Sequence, residues 1–244
     1  KAVHGTTVGT NALIERCGAP TGLITTEGFR DVLEIRRSVR PPSDYFNLRW
    51  IKPRPLVPRE LIYEARERTT FDGQIIHPLD VDDALRGLRQ LVDAGCTAVA
   101  VCLLFSYANP SHEQQIADIA SQHFPDLALS VSSSLLPQWR EYERASTTVA
   151  DAFIKPLMSR YFSKLEKELR DRGMKNDLLV MKSNSGLMTA RSAASEPIHT
   201  LLSGPTGGAL AGKFIGARAG YPDLITMDMG GTSFDVSLVQ GGNI

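Results

Sequence analysis

At 244 residues the chain is long enough to bury one or two hydrophobic cores. Its 27 basic residues balance 27 acidic ones, so the cationic surplus that broad binding to nucleic acid or anionic membrane needs is excluded. No apolar run approaches the roughly 20 residues that span a bilayer. The three cysteines, Cys17, Cys96 and Cys102, lack the spacing of a zinc site or a disulfide framework. A cytoplasmic protein binding neither nucleic acid nor membrane is the expectation.

In chain order, Leu13 and Ile14 predict a short helix over 11–16, with Thr6 and Thr7 as candidate caps and Gly18-Ala19-Pro20 as its stop. A strand over 21–26 (TGLITT) and a helical turn over 29–35 follow. Prolines 41, 42, 53, 55 and 58 then predict an extended surface connection. Its residues Arg49, Trp50, Lys52 and Arg54 suit either anion contact or a solvated face.

From residue 79 the pattern is regular. Asp80 or Asp82 caps a helix carrying Leu85, Leu88, Leu91 and Val92, which Gly95 closes. The apolar run over 98–105 (AVAVCLLF) predicts a strand buried on both faces. A helix from Asn109 to His123 and a strand over 127–132 complete the order of a parallel α/β unit. Further on, a helix is expected over 141–172 with a break near Pro156, then a strand over 178–182 and a short helix over 190–195. After the glycine cluster at 203–208 a helix of small residues runs to Ala219, and a strand over 224–227 enters the most informative segment.

That segment, DMGGTSFDVSLV from Asp228, reads as strand, glycine turn, strand. Gly230 and Gly231 let backbone amides approach an anion, because no Cβ intervenes. Thr232 and Ser233 add hydroxyls, and Asp228 at the strand end suits a hydrated Mg²⁺. A plain hairpin turn that binds nothing fits the same spacing. Gly204, Gly207 and Gly208 lie where a glycine-rich entry to a helix receives anions, or where small residues allow close packing.

The stretches HGTTVGTNALIERCGAPTGLITTEGFRDVLEI, REYERASTTVADAFI, MKSNSGLMTA, LLSGPTGGALAG and DMGGTSFDVSLVQGG, in this order along the chain, together resemble the hydantoinase A/5-oxoprolinase family. The resemblance implies an α/β, actin-like ATPase (RNase H-like) fold, expected to be incomplete at both ends, as in an internal fragment. It divides the chain into an N-terminal region, 1–140, and part of a nucleotide-binding domain, 141–244. It implies ATP and Mg²⁺ as cofactors, with Asp228 as catalytic residue and metal ligand. Gly204, Gly207, Gly208, Gly230, Gly231, Thr232, Ser233 and Asp235 then line the nucleotide. His4, Arg140 and Arg144 are weaker candidates for substrate contact, since a satisfied histidine and a structural ion-pair network explain them equally well. The implied activity is ATP-driven activation of a carbonyl in a cyclic amide. The alternatives are a subunit of an acetone- or acetophenone-type carboxylase, a nucleotide-driven scaffold beside a hydantoinase B-type partner subunit, and a small-molecule kinase.

Overall fold

The computed structural model describes residues 2–38, 40–230 and 234–244. These fall into two units, the first made of residues up to Cys17 together with Leu157–Ile244, the second of Gly18–Pro156. The first unit opens with β1 (Ala2–His4) and α1 (Val8–Glu15). Thr7 stands at the α1 N-cap, while the Thr6 hydroxyl accepts from Val8 N at 3.2 Å.

The second unit is built on β2 (Thr21–Thr26), α2 (Val32–Ile35), β3 (Ile62–Ala65), β4 (Arg68–Thr69), β5 (Ile75–His77), α3 (Val81–Asp93), β6 (Ala98–Cys102), α4 (Ser111–His123), β7 (Ala128–Val131) and α5 (Ser132–Leu135). The first half of α6 (Glu141–Asp171) closes it. Four strands form one parallel sheet in the order β3-β2-β6-β7. Every residue of β2 and β6 is buried, as continuous apolar strands between two helical layers should be. On one face Ile24, Val99 and Val101 pack with Leu88 and Leu91 of α3 and Ile116 of α4. On the other, Leu23, Ala100 and Cys102 pack with Leu33, Val57 and Val149. Asp80 caps α3, its carboxylate accepting from Asp83 N at 2.9 Å.

The strand expected over 98–105 ends at Cys102. Leu103 N donates to the Glu113 carboxylate and Leu104 N to Thr26 Oγ1, each at 2.8 Å, which draws the backbone out of the ladder. Phe105 then turns with φ 57°. The carboxyl ends of all four strands are tied by such bonds. Thr26 Oγ1 donates to Glu67, whose other oxygen lies 2.7 Å from His112 Nδ1. Glu113 also accepts from Ser132 Oγ and Ser133 N, both at 2.7 Å.

Pro156, expected to break the long helix, lies inside a continuous α6. Beyond it the first unit resumes with β8 (Leu178–Met181), β9 (Leu187–Thr189), α7 (Ala190–Ser195), α8 (Ser203–Ala219), β10 (Leu224–Met229) and β11 (Phe234–Val239). β8 is the middle strand of a sheet, parallel to β1 and antiparallel to β9. β10 and β11 form a separate antiparallel hairpin. The strands β1, β3, β4, β5 and β9 are absent from the sequence reading. Each has only two to four residues, too few for a period to register. Among the described residues no helix is long and apolar enough to cross a membrane.

Candidate functional site

The glycine cluster at 203–208 is not a loop leading into a helix, as expected, but the first two turns of α8 itself. Pro205 suits that position, where its missing N–H has no intrahelical partner to lose. The absent side chains let the helix end close on its neighbours. A Cβ at Gly207 would lie 3.1 Å from Met181 Sδ, and one at Gly204 3.3 Å from Thr7 Cγ2. Ser203 Oγ accepts from Thr6 N and donates to Thr6 O, both at 3.2 Å, so the segment after β1 is fastened to the start of α8. No side chain caps the helix, whose first-turn amides carry its positive dipole end.

The other end of α8 fixes its register on the hairpin. A Cβ at Gly216 would meet Leu224 Cδ2 at 2.1 Å, and one at Gly212 would meet Thr226 Cγ2 at 2.2 Å. Each step is four residues along the helix and two along the strand, both about 6 Å. Because four residues overshoot one full helical turn, the glycine row swings off the strand farther along, and Gly204 faces Thr7 instead. A Cβ at Gly208 would meet nothing within 4 Å. α8 therefore runs antiparallel to β10, its N-terminal turns toward the Asp228 end of that strand, with open space above Gly208.

Asp228 and Asp235 are direct partners across the hairpin, and the ladder ends at Met229 opposite Phe234. Alternation sends Leu224, Thr226 and Asp228 toward the α8 side, joined by Asp235, Ser237 and Val239. The opposite face is apolar and exposed: Ile225, Met227, Met229, Phe234, Val236 and Leu238. Asp228 and Gly230 are exposed, and Asp235 is partly buried. Gly231, Thr232 and Ser233 lie outside the described residues. Among those described, no group of three or more His, Cys, Asp or Glu side chains suits a metal. Two facing carboxylates do fit Mg²⁺, which takes one or two carboxylates together with phosphate oxygens.

His4 belongs to the same unit, its Nε2 2.7 Å from Tyr161 OH. Burial holds its pKa below the usual histidine value. Arg140 and Arg144 belong to the second unit. Arg144 is almost wholly buried and donates to the carbonyls of Leu103 at 2.5 Å and Gln138 at 3.0 Å, a structural tether. Arg140, at φ 83°, stacks on exposed Trp139 with 4.5 Å to the ring centroid. In place of the ion-pair network expected within 140–144, Glu143 pairs with Arg37. The sequence reading missed Glu67, His112 and Glu113, because their partners lie in other segments that only folding brings close.

A family described as the hydantoinase/oxoprolinase N-terminal region matches residues 1–124, and one described as hydantoinase/oxoprolinase matches 144–244. The chain belongs to the hydantoinase/oxoprolinase family. The caprolactamase subunit alpha of Pseudomonas jessenii is 34% identical over 240 residues, covering 98% of this chain and 34% of that protein. The 5-oxoprolinase 1 of Arabidopsis thaliana is 34% identical over 258 residues, covering 97% of this chain and 20% of that one. The nucleotide-free structure of acetone carboxylase superposes with a TM-score of 0.89 at 30% identity, over 99% of this chain and 35% of its own. These solved relatives have the actin-like ATPase fold, and the α/β architecture here is of that fold family. The chain spans about a third of the length of the caprolactamase and carboxylase relatives, and a fifth of the oxoprolinase.

Proposed function

We propose that the full-length protein uses ATP to activate the carbonyl of a cyclic amide and so hydrolyses the ring, and that the first unit holds part of the nucleotide site. The observation that carries this reading is the packing of α8 along β10, Gly216 on Leu224 and Gly212 on Thr226, which turns the glycine-rich start of the helix toward the Asp228 end of the strand. A helix N-terminus and a glycine bend together offer backbone N–H groups and a positive dipole end to a polyphosphate. Gly204, Gly207, Gly208, Gly230, Gly231, Thr232 and Ser233 line that anion in this reading. Asp228 holds Mg²⁺, with Asp235 in support.

Phosphoryl transfer needs positioning and charge neutralisation more than covalent help from the protein. ATP supplies the phosphoryl group that turns a poor leaving oxygen into phosphate; the chain's amides orient the polyphosphate and its carboxylates fix the cation. In this reading His4 lies near the substrate or nucleotide and Arg140 is a substrate contact, while buried Arg144, first a candidate for the same role, holds the backbone at Leu103 and Gln138. Residues 1–140 are the N-terminal region and 141–244 the nucleotide-binding part; β1 and α1 of the former fold with the latter. The relatives include an ATP-dependent caprolactamase and 5-oxoprolinases, which supports a cyclic amide as substrate. Several are named as subunits, which supports a second polypeptide of the hydantoinase B type. A cytoplasmic location belongs to the same reading.

The test is a full-length Asp228→Ala variant assayed for ATP hydrolysis stimulated by lactams. Loss of stimulation with intact folding is expected, and wild-type stimulation would remove the assignment. The likeness to acetone carboxylase favours a second reading, a nucleotide-binding carboxylase subunit. Formation of a β-keto acid from a ketone and bicarbonate, with no lactam opened, would select it. ATP turnover without carbon chemistry until a partner is added would select the scaffold.

A further inference from the structure

The proline-rich stretch of the second unit shapes a cavity of about 410 Å³ that the proposed function does not use. Pro41, Trp50 and Pro53 give it an apolar wall, and Arg36, Arg40 and Lys52 give it a cationic rim. The prolines keep this stretch out of the sheet, since each lacks an N–H to donate. Its course is pinned by side chains instead. Lys52 Nζ donates to Glu34 O at 2.5 Å, Arg36 donates to Pro53 O, and Arg37 forks onto the Glu143 carboxylate. Arg40 lies over the Trp50 ring, 5.2 Å from its centroid.

The charges here do not cancel. Lys52 has a counter-ion in Glu34 at 3.4 Å, and Arg37 has one in Glu143. Among the described residues Arg36 and Arg40 form no ion pair, yet both line the cavity. Two uncompensated guanidiniums beside an indole meet the needs of one ligand class. The guanidinium fork matches a carboxylate, and a flat apolar wall shields the body attached to it. The volume falls within the roughly 300–1,000 Å³ of small-molecule sites.

We propose that this cavity binds a small organic carboxylate with a flat or branched apolar body, its carboxylate on Arg36 and Arg40 and its body against Trp50 and the flanking prolines. The site shares no residue with the nucleotide site and stands or falls independently of it.

The test uses the full-length protein with benzoate, the uncharged isostere benzamide, and sulfate, followed by saturation-transfer NMR and titration calorimetry. Benzoate is expected to bind saturably in the millimolar range, and benzamide at least tenfold more weakly. Arg40→Gln and Trp50→Leu, checked by circular dichroism, should each weaken benzoate about tenfold, which corresponds to about 1.4 kcal/mol. Arg40→Lys should retain part of the affinity, since it keeps the charge and loses the fork. Three results would overturn the site: equal binding of benzamide and benzoate, no effect of any of these substitutions, or full displacement of benzoate by sulfate in wild type and Trp50→Leu alike. The last would mean diffuse charge attraction only.

Discussion

Asp228 and Asp235 stand directly opposite each other on paired strands, with their side chains on the same face of the hairpin. Like charges in that relation destabilise a two-stranded ladder unless something positive lies between or beside them. Asp235 is engaged in a further interaction, so removing the Asp228 charge should act on cation binding rather than on the fold. Asp228→Asn is expected to melt within a few degrees of wild type in EDTA, and to lose the stabilisation that Mg²⁺ with ATP confers. Calorimetry of the full-length protein with and without Mg²⁺ checks this; equal stabilisation of both proteins would sink the cation assignment.

Gly208 provides a second separation of folding from function. It lies inside α8 with open space where a Cβ would be. Alanine there should stabilise the helix by up to about 1 kcal/mol. If the space belongs to the phosphates, the same methyl should weaken ATP binding several-fold. A chemical-denaturation midpoint and an ATP titration on one variant read both effects, and a variant more stable with undiminished affinity would remove Gly208 from the site.

Gly216→Ala should have the opposite effect on stability. Its Cβ would stand 2.1 Å from Leu224 Cδ2 and 2.9 Å from the Tyr221 backbone oxygen, and the backbone cannot step aside as a side chain can. A loss of about 1–3 kcal/mol is expected, outweighing the gain in helix propensity. Gly212→Ala should cost less, because its nearest obstacles are the Thr226 and Leu224 side chains rather than backbone. Unfolding in urea ranks the two, and the reverse order would contradict the packing described.

Glu113 is the hub of the second unit's polar network, fully buried and accepting from Leu103 N, Ser132 Oγ and Ser133 N. Glu113→Leu leaves those donors buried without a partner, at about 1–3 kcal/mol each before relaxation. Severe destabilisation is expected. A midpoint within experimental error of wild type would show that the network contributes little.

Asp83 carries a pH dependence whose sign follows from its contacts. Burial alone would raise its pKa, but Arg66 N and the side chains of Arg66, Tyr63 and Arg86 together hold it below its ordinary value of 3.8. A carboxylate with a depressed folded-state pKa contributes stability that is present above that ordinary value and lost as pH falls through the folded one. The stability difference between wild type and Asp83→Asn should shrink as pH drops from 6 toward 3. A difference independent of pH would show that Asp83 acts through shape rather than charge.

Sequence alone determined the elements whose signal is local. The apolar runs of β2 and β6, the Asp80 cap of α3, the short helix at 190–195 and the two strands on either side of the Gly230 segment are legible because period and capping act over a few neighbours. The five family stretches likewise carried the fold class. Only tertiary structure decided that the glycines at 203–208 open α8, because the contacts that close on them come from residues 5–7 and 181. It decided too where the strand after Ala98 ends, since Glu113 and Thr26 divert Leu103 and Leu104 from the ladder. The packing of Gly216 and Gly212 on Leu224 and Thr226, and the two arginines beside Trp50, depend on partners brought close by folding. Periodicity records which face of an element is buried; it does not record what that face meets.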